Sequence, residues 1–499
     1  MGGTLTYDSV PNSATTGALN YSAVSNKPLR GVTVQAVSGS TVLATAQSSE
    51  LGVYALVLPQ NTSYSIRVRA ELMQLAGPVT WNVSAKDNTN GDALWTVETA
   101  AQSSGTADAA RSFNVPSGWN GTSYGTSRPA GPFAILDNIY TSMKLVNTAQ
   151  PVIAFPALNV FWSPNNRPAG GNLAIGDIGT SFFTFQPSTT GAAGAGTRSM
   201  YILGAADTDT DEYDSSVIAH EYGHYLQSAF STNHSLGGPH GSRDKLDKTV
   251  AFGEGFGNAW SSMSRNDPLY SDSQGPGQSV ASFFDVRRTP ASPGWYSEDS
   301  VQSIMYQFFA SSGFAPIWTA MTGPMNKSQD ALASIFSFAA AVRSSASSAV
   351  SSALKALLSA HNINGADQWG AGETNNGGSA HTLPVYTQLS LGVPARACLD
   401  YSNQALNAQY ANKLGAVKYF RFTQASAGNR TIVASFPAGR DIDFDVYQNR
   451  ALVGSANSTD ATSEGGQLSL SAGEVVIRLS DAVTSSAPSL TNCATLLIN

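Results

Sequence analysis

Apolar and polar positions along the chain change period twice. Over residues 1 to 97 they alternate. "GVTVQAV" (31 to 37), "TVLATAQ" (41 to 47), "GVYALVLP" (52 to 59) and "SYSIRVRA" (63 to 70) put every second side chain on one face, which predicts short, half-buried strands. Gly, Asn and Ser between them supply turns. From 98 to 395 the periods mix. "GPFAILDNIYTSMKLV" (131 to 146) sets Phe133, Leu136, Ile139 and Met143 on one helical face, with Pro132 suited to a first turn. "LNVFW" (158 to 162), "SFFTF" (181 to 185) and "SMYILG" (199 to 204) read as strands, and helical patterns then dominate at 214 to 230, 251 to 264, 299 to 311 and 331 to 360. Few strands followed by many helices predict an α+β domain. From 396 to 499 alternation returns in "VKYFRFT" (417 to 423), "RTIVASF" (430 to 436), "DIDFDVYQ" (441 to 448), "GQLSLS" (466 to 471) and "GEVVIRLS" (473 to 480), the even spacing of a second β-sandwich. The expected architecture is multidomain: an α+β domain flanked by two all-β sandwiches.

The 499 residues suit two to four domains, and 42% hydrophobic residues suffice for their cores. Charged residues make up 12%, about half the usual share, a usage that often accompanies secretion in bacteria. The net charge of −7 and the lack of any basic run argue against a nucleic-acid partner. The longest apolar patch, "IFSFAAAV" (335 to 342), stops at Arg343, well short of the roughly 20 residues that span a bilayer. The start, "MGGTLTYD", has neither a charged n-region nor an apolar h-region, which fits a cytosolic protein or a mature form with a new start Met, and the second is favoured. Cys398 and Cys493 bracket the last hundred residues with no metal knuckle around them. Bonded, they would close a loop worth on the order of 4 kcal/mol in the chain-entropy model, and would persist only in an oxidising, extracellular setting. Two buried thiols are the alternative.

Chemistry enters at "DSSVIAHEYGHYLQSAF" (214 to 230), where two of only six histidines stand four apart around an acid. Residues i and i+4 lie one above the other on a helix, so His220 and His224 can meet one ion while Glu221 reaches water beside it. That is the two-histidine zinc helix with its general base. Val217, Leu226 and Phe230 would bury neighbouring sides, and Asp214 or Ser215 offers an N-cap. A third ligand is needed. In "TVAFGEGFGNAWSSM" (249 to 263) three glycines interrupt a helical pattern, each at about 1 kcal/mol relative to Ala. Close packing on the zinc helix would explain them and makes Glu254 the natural third ligand. Asn258, one turn on, would accept the far N–H of a ligand histidine.

"HEYGH", then "GG" (237 to 238) and "FGEGFGNAW" (252 to 260) resemble the gluzincin metallopeptidases, nearest to the fungalysin and thermolysin-like branch. The resemblance implies an α+β zincin-like metallopeptidase domain over 98 to 395, with one zinc ion on His220, His224 and Glu254. It makes Glu221 the catalytic base and puts Asn258 where the branch has a second-layer Asp. Two features depart from it: 29 residues separate His224 from Glu254, and Asn replaces Asp. The chain is therefore placed in the gluzincin class and in no single family of it. The order of strands over 1 to 97 resembles the carboxypeptidase regulatory-like, or transthyretin-like, sandwich. The "DIDFDVY … LSLSAGEVVIRL" order over 396 to 499 resembles the pre-peptidase C-terminal domain of secreted bacterial peptidases.

Other residues were weighed against this frame. A third histidine six residues after His224 would signal a metzincin, but Phe230 stands there. His234 and His240, in the loop before Glu254, could ligate or line the cleft, and are expected to be solvated loop residues. A donor for the tetrahedral intermediate would be Tyr296, then His381, then Tyr306. The run "DTDTDEYD" (207 to 214) is similar to a calcium loop but has Glu212 at the sixth position and Ile218 at the twelfth. A solvated acidic loop is expected, with Ca2+ as the alternative. The functional expectation is a secreted zinc endopeptidase acting on peptide or protein, aligned along an edge strand such as 199 to 204. A gluzincin aminopeptidase is the second enzyme reading, although the Gly-x-Met-Glu-Asn motif is missing. The non-enzymatic reading is an adhesin with a relic metal site, and the sandwiches leave contact with glycans or surfaces open.

Overall fold

The helix expected at 131 to 146 runs from Gly131 to Ala149 (α1), takes Pro132 in its first turn and buries Phe133, Leu136, Ile139 and Met143. Each of these side chains stabilises the fold by roughly 1.5–3 kcal/mol as an upper estimate. The computed structural model describes residues 1–125, 127–189, 194–403, 411–458, 462–481 and 491–499. It is multidomain, rich in sheet and carries a smaller share of helix. The chain forms two compact units, Met1–Ala229 with Trp260–Asp285, and Phe230–Ala259 with Val286–Asn499.

In the first unit α1 packs on strands Ser63–Gln74 and Val79–Asp87. These strands belong to a sheet with the order 182–187, 196–202, 158–162, 79–87, 63–74, 32–38, 41–47. Alternation located the strands of the first hundred residues, and they fall into two sheets: 2–9, 25–28 and 53–55 assemble with 113–115, and the others join the long sheet. Strand Leu158–Trp162 pairs in parallel with Val79–Asp87 on one side and with Gly196–Ile202 on the other. It thereby joins the first region to the middle one through one hydrogen-bonded ladder. Parallel partners need a crossover, and α1 lies in the connection between these two strands. A smaller sheet of 204–205, 209–210, 269–274 and 280–285 follows. Around it stand helix Ser215–Phe230 (α2) and the end of helix Lys248–Arg265 (α3), which runs unbroken from one unit into the other.

The second unit holds helix Glu298–Ser312 (α4), further helices up to Ala360, and a C-terminal pair of sheets. One sheet has the order 387–388, 417–424, 473–481, 442–448, 451–456, the other 395–400, 491–498, 428–435, 463–470. Leu399, Ile432 and Leu496 from one meet Phe420, Phe444 and Ile477 from the other in a common core. That is a β-sandwich. Cys398 and Cys493 face each other in register on antiparallel strands and are bonded, with Cα atoms 4.0 Å apart. Among the described residues no helix is long and apolar enough to cross a membrane.

Candidate metal centre

α2 is anchored along one side by aromatic and aliphatic residues: Val217, Ile218, Tyr222, Tyr225 and Leu226 are buried, and the Tyr225 hydroxyl donates to the Pro156 carbonyl at 2.6 Å. Its first turn is stitched to strand Leu269–Gln274. The Ser271 amide donates to Ser216 Oγ at 3.0 Å, while the Ser273 amide and hydroxyl both donate to Asp214 Oδ2, at 2.8 and 2.6 Å. Asp214 Oδ1 accepts from Asn12 at 2.5 Å. The carboxylate thus clamps the strand, where a simple N-cap was expected.

This anchoring turns the opposite stripe of α2 inward. His220 and His224 bring their Nε2 atoms to 3.0 Å, with rings crossed at 82°. Two ring lone pairs cannot face each other at that distance without a proton or a cation between them. Ligand nitrogens about 2.0–2.1 Å from a tetrahedral zinc stand about 3.3 Å apart, so the pair is close to zinc geometry. His224 Nδ1 lies 3.4 Å from Gln227 Oε1, an acceptor that favours the tautomer with its proton on Nδ1. Glu221, between the two histidines in sequence, is buried. The Tyr270 ring stands beside His220 at 6.3 Å.

Within the second unit Glu254 is buried on α3 and faces the loop that precedes it. His240 Nε2 lies 3.4 Å from Glu254 Oε2 and 3.5 Å from Glu298 Oε2. Burial opposes charge on His240, but the two carboxylates outweigh it and raise its pKa. Burial, reinforced by Glu254 and resisted by His240, pushes the Glu298 carboxyl up to about 7. Gly255 is where α4 arrives: a Cβ there would meet Val301 Cβ at 2.5 Å and the Glu298 carbonyl at 2.7 Å. The glycine-rich helix therefore does admit a close neighbour, and at Gly255 this neighbour is α4, where α2 was expected. The same approach brings Glu298 to Glu254, a residue the sequence reading passed over. The Ser297 cap and the acidic first turn of α4 were the available signal. Asn258 Nδ2 donates to Gln302 Oε1 on α4 at 2.8 Å, which fixes the way its amide faces.

The other expected residues lie elsewhere. Tyr296 is buried between Gly294 and Gly377, its hydroxyl 3.2 Å from Asn375 Oδ1 and 3.3 Å from the Pro293 carbonyl, two acceptors for one proton. His381 is exposed at a left-handed loop position, φ 64°, with its carbonyl held by Lys418 Nζ at 2.5 Å. Tyr306 is buried on α4. His234 is not solvated: its Nδ1 accepts the Ala333 amide, its Nε2 donates to the Arg450 carbonyl, both at 3.0 Å, and burial lowers its pKa to about 4. The acidic run is solvated only at its start, where Asp207 is exposed; Asp211, Glu212 and Asp214 are all buried. The tight environment is set by residues distant in sequence.

Three groups of side chains offer donor atoms within 4.8 Å of one another and so could hold a metal: His220, His224 and Glu254; Asp209, Asp211 and Asp272; and Asp441, Asp443 and Glu464. The first offers two imidazole nitrogens and one carboxylate, and the other two offer carboxylates alone.

No family model matches the chain, and no curated protein does. Among solved structures, the pre-peptidase C-terminal domain of a collagenase from Bacillus anthracis is similar to 23% of this chain over 94% of its own length, at 9% identity and a TM-score of 0.18. A periplasmic inhibitor of g-type lysozyme from Aeromonas hydrophila is similar over 23% of this chain and 94% of its own, at 11% identity and 0.16. A β-glucosidase from Paenibacillus barengoltzii shares 22% of this chain and 11% of its own, at 13% identity and 0.13. Likeness at this level leaves the functional reading to the chain's own residues.

Proposed function

We propose that the chain is a secreted, zinc-dependent endopeptidase of the gluzincin class, with its peptidase domain in the 98 to 395 span and the 396 to 499 sandwich as an accessory module. The observation that carries the reading is the facing pair of imidazole nitrogens on α2, 3.0 Å apart, with Glu221 between them in sequence and Glu254 in the same group of potential ligands. His220, His224 and Glu254 would hold the zinc. When bound there, zinc supplies an acidified water and polarises a carbonyl. Glu221 takes the proton of the attacking water and returns it to the leaving amine, so one carboxylate acts first as base and then as acid. Asn258 serves as a positioning residue, oriented by Gln302. The disulfide supports an oxidising compartment, because such bonds are rare where thiols are kept reduced.

The test is metal content together with proteolysis. The purified chain should carry one zinc and cleave casein, and a chelator should abolish cleavage until zinc is restored. Glu254→Ala should lose most of its zinc while keeping its secondary structure. Full zinc occupancy in that variant would overturn the ligand set. An adhesin would show no chelator-sensitive cleavage at all.

A further inference from the structure

The acidic run before α2 carries a second, separate inference. Its charges are dealt with in two different ways. Glu212 is fully buried but meets Arg128, Nη1 to Oε1 at 2.6 Å, with Trp162 Nε1 at 3.3 Å on the other oxygen. Asp214 is fully buried but accepts three hydrogen bonds from Ser273 and Asn12. Both are satisfied by the protein itself, as buried charges must be.

Asp209 and Asp211 are not. Positions two apart on an extended segment share a face. Asp209 pairs with Gln274 in an antiparallel ladder, and continuing that register by two sets Asp211 across from Asp272. Three carboxylates thus converge, with donor atoms within 4.8 Å of one another. Like charges directly opposite on neighbouring strands are destabilising. Among the described residues no Lys or Arg forms an ion pair with any of the three.

A second observation points to what belongs there. Asp211 is 3% exposed, and its two oxygens differ. Oδ2 accepts from Ser181 Oγ at 2.5 Å. The Ser181 hydroxyl itself accepts the Leu203 amide at 2.9 Å, so its own proton is directed to Asp211. Asp211 Oδ1 is buried and has no hydrogen-bond partner, and Asp209 Oδ1 is in the same condition. An unpartnered carboxylate oxygen in the interior is expensive, and here it stands in a group with two further carboxylates. Burial raises the pKa of all three acids; repulsion from the neighbouring carboxylates adds to it at Asp209 and Asp211, and His220 opposes it at Asp272.

We infer that Asp209, Asp211 and Asp272 bind a hard divalent cation, of the calcium class, which ties the segment leading into α2 to strand Leu269–Gln274. Oxygen-only, anionic donors select calcium or magnesium over zinc, which prefers nitrogen and sulfur in such sets. The same strand carries Ser271 and Ser273, which hold the first turn of α2. The cation therefore stabilises the platform on which the histidine pair stands, and Asp272 lies within electrostatic reach of His220. This inference is independent of the zinc reading.

The experiment uses the full chain, loaded with zinc and freed of other divalent ions by exchange. Calcium chloride and magnesium chloride are titrated separately while the melting temperature is followed, with direct calorimetric binding alongside. The expected result is saturable binding of one ion and a rise of roughly 3 °C or more at saturation. That rise should be lost in Asp272→Asn and retained in Asp443→Asn, which alters the other acidic group. Zinc content should be unchanged throughout, so failure here and failure of the zinc reading are told apart. A flat titration with both ions in the wild-type chain would overturn the inference and leave the three carboxyls sharing protons. So would an undiminished shift in Asp272→Asn.

Discussion

On α2, His220 and His224 turn their Nε2 atoms on each other at 3.0 Å. On the loop after α2, His234 gives each ring nitrogen to the backbone, accepting the Ala333 amide and donating to the Arg450 carbonyl. All three side chains are wholly or largely buried, so burial does not distinguish them. What differs is the hydrogen-bond account. His234 is a neutral strut whose partners fix one tautomer, and adding a proton would break the bond from Ala333. The α2 pair holds its two nitrogens at a spacing that requires something between them. A histidine that closes its bonds with the backbone holds a fold together, whereas a pair turned on each other is the arrangement on which the zinc proposal is built.

The comparison breaks most sharply at Glu221. It is not among the proposed ligands, so Glu221→Gln should keep zinc content and melting temperature. Gln is nearly isosteric but cannot take a proton near neutral pH, and loss of a general base is worth about 10² to 10⁴ in rate. Casein cleavage should fall at least a hundredfold. Near-normal cleavage with zinc still bound would remove Glu221 from the mechanism and the gluzincin reading with it.

Legibility in the sequence followed the range of the interactions. The α2 pattern spans four residues, and period alone placed both histidines on one face. The C-terminal strands were legible for the same reason, because alternation is local and the disulfide partners were the only two cysteines. Long-range partners were not legible. Arg128 and Asp272 lie far along the chain from Glu212 and Asp211, so a run of acids looked like a solvated loop when it was interior. The parallel pairing of 79 to 87 with 158 to 162 was not legible, because nothing in the composition of the N-terminal strands announces it. The acceptor of the Tyr296 hydroxyl, Asn375, was not legible either, because it lies 79 residues away.

A smaller effect is expected at Asn258, which sharpens the comparison by asking whether the α2 pair is supported as His234 is. Its amide is oriented by Gln302. Asn258→Ala should weaken zinc affinity by about tenfold to a hundredfold, as is usual when a group behind a ligand is removed, and cleavage at saturating zinc should fall much less. Measuring zinc affinity by competition with a chromogenic chelator decides this. Unchanged affinity would make Asn258 a packing residue of the α3–α4 contact.

The smallest effect on activity is expected at His234, and its signature is in pH. Burial lowers its pKa from 6.5 to about 4. Between those values the unfolded chain binds a proton that the folded chain refuses, so the stabilising contribution is complete above pH 6.5 and is lost as pH falls toward 4. The full difference is on the order of 3 kcal/mol. His361, also lowered to about 4 by burial, acts with the same sign, so the informative quantity is the difference between wild type and a variant. Gln can accept from the Ala333 amide and donate to the Arg450 carbonyl but does not titrate. His234→Gln should therefore retain zinc and cleavage at pH 7, while its melting temperature should fall less between pH 7 and pH 5 than that of the wild type. Equal slopes would mean that His234 takes up its proton in the folded state, and that the division between structural and chemical histidines drawn from their hydrogen bonds does not hold.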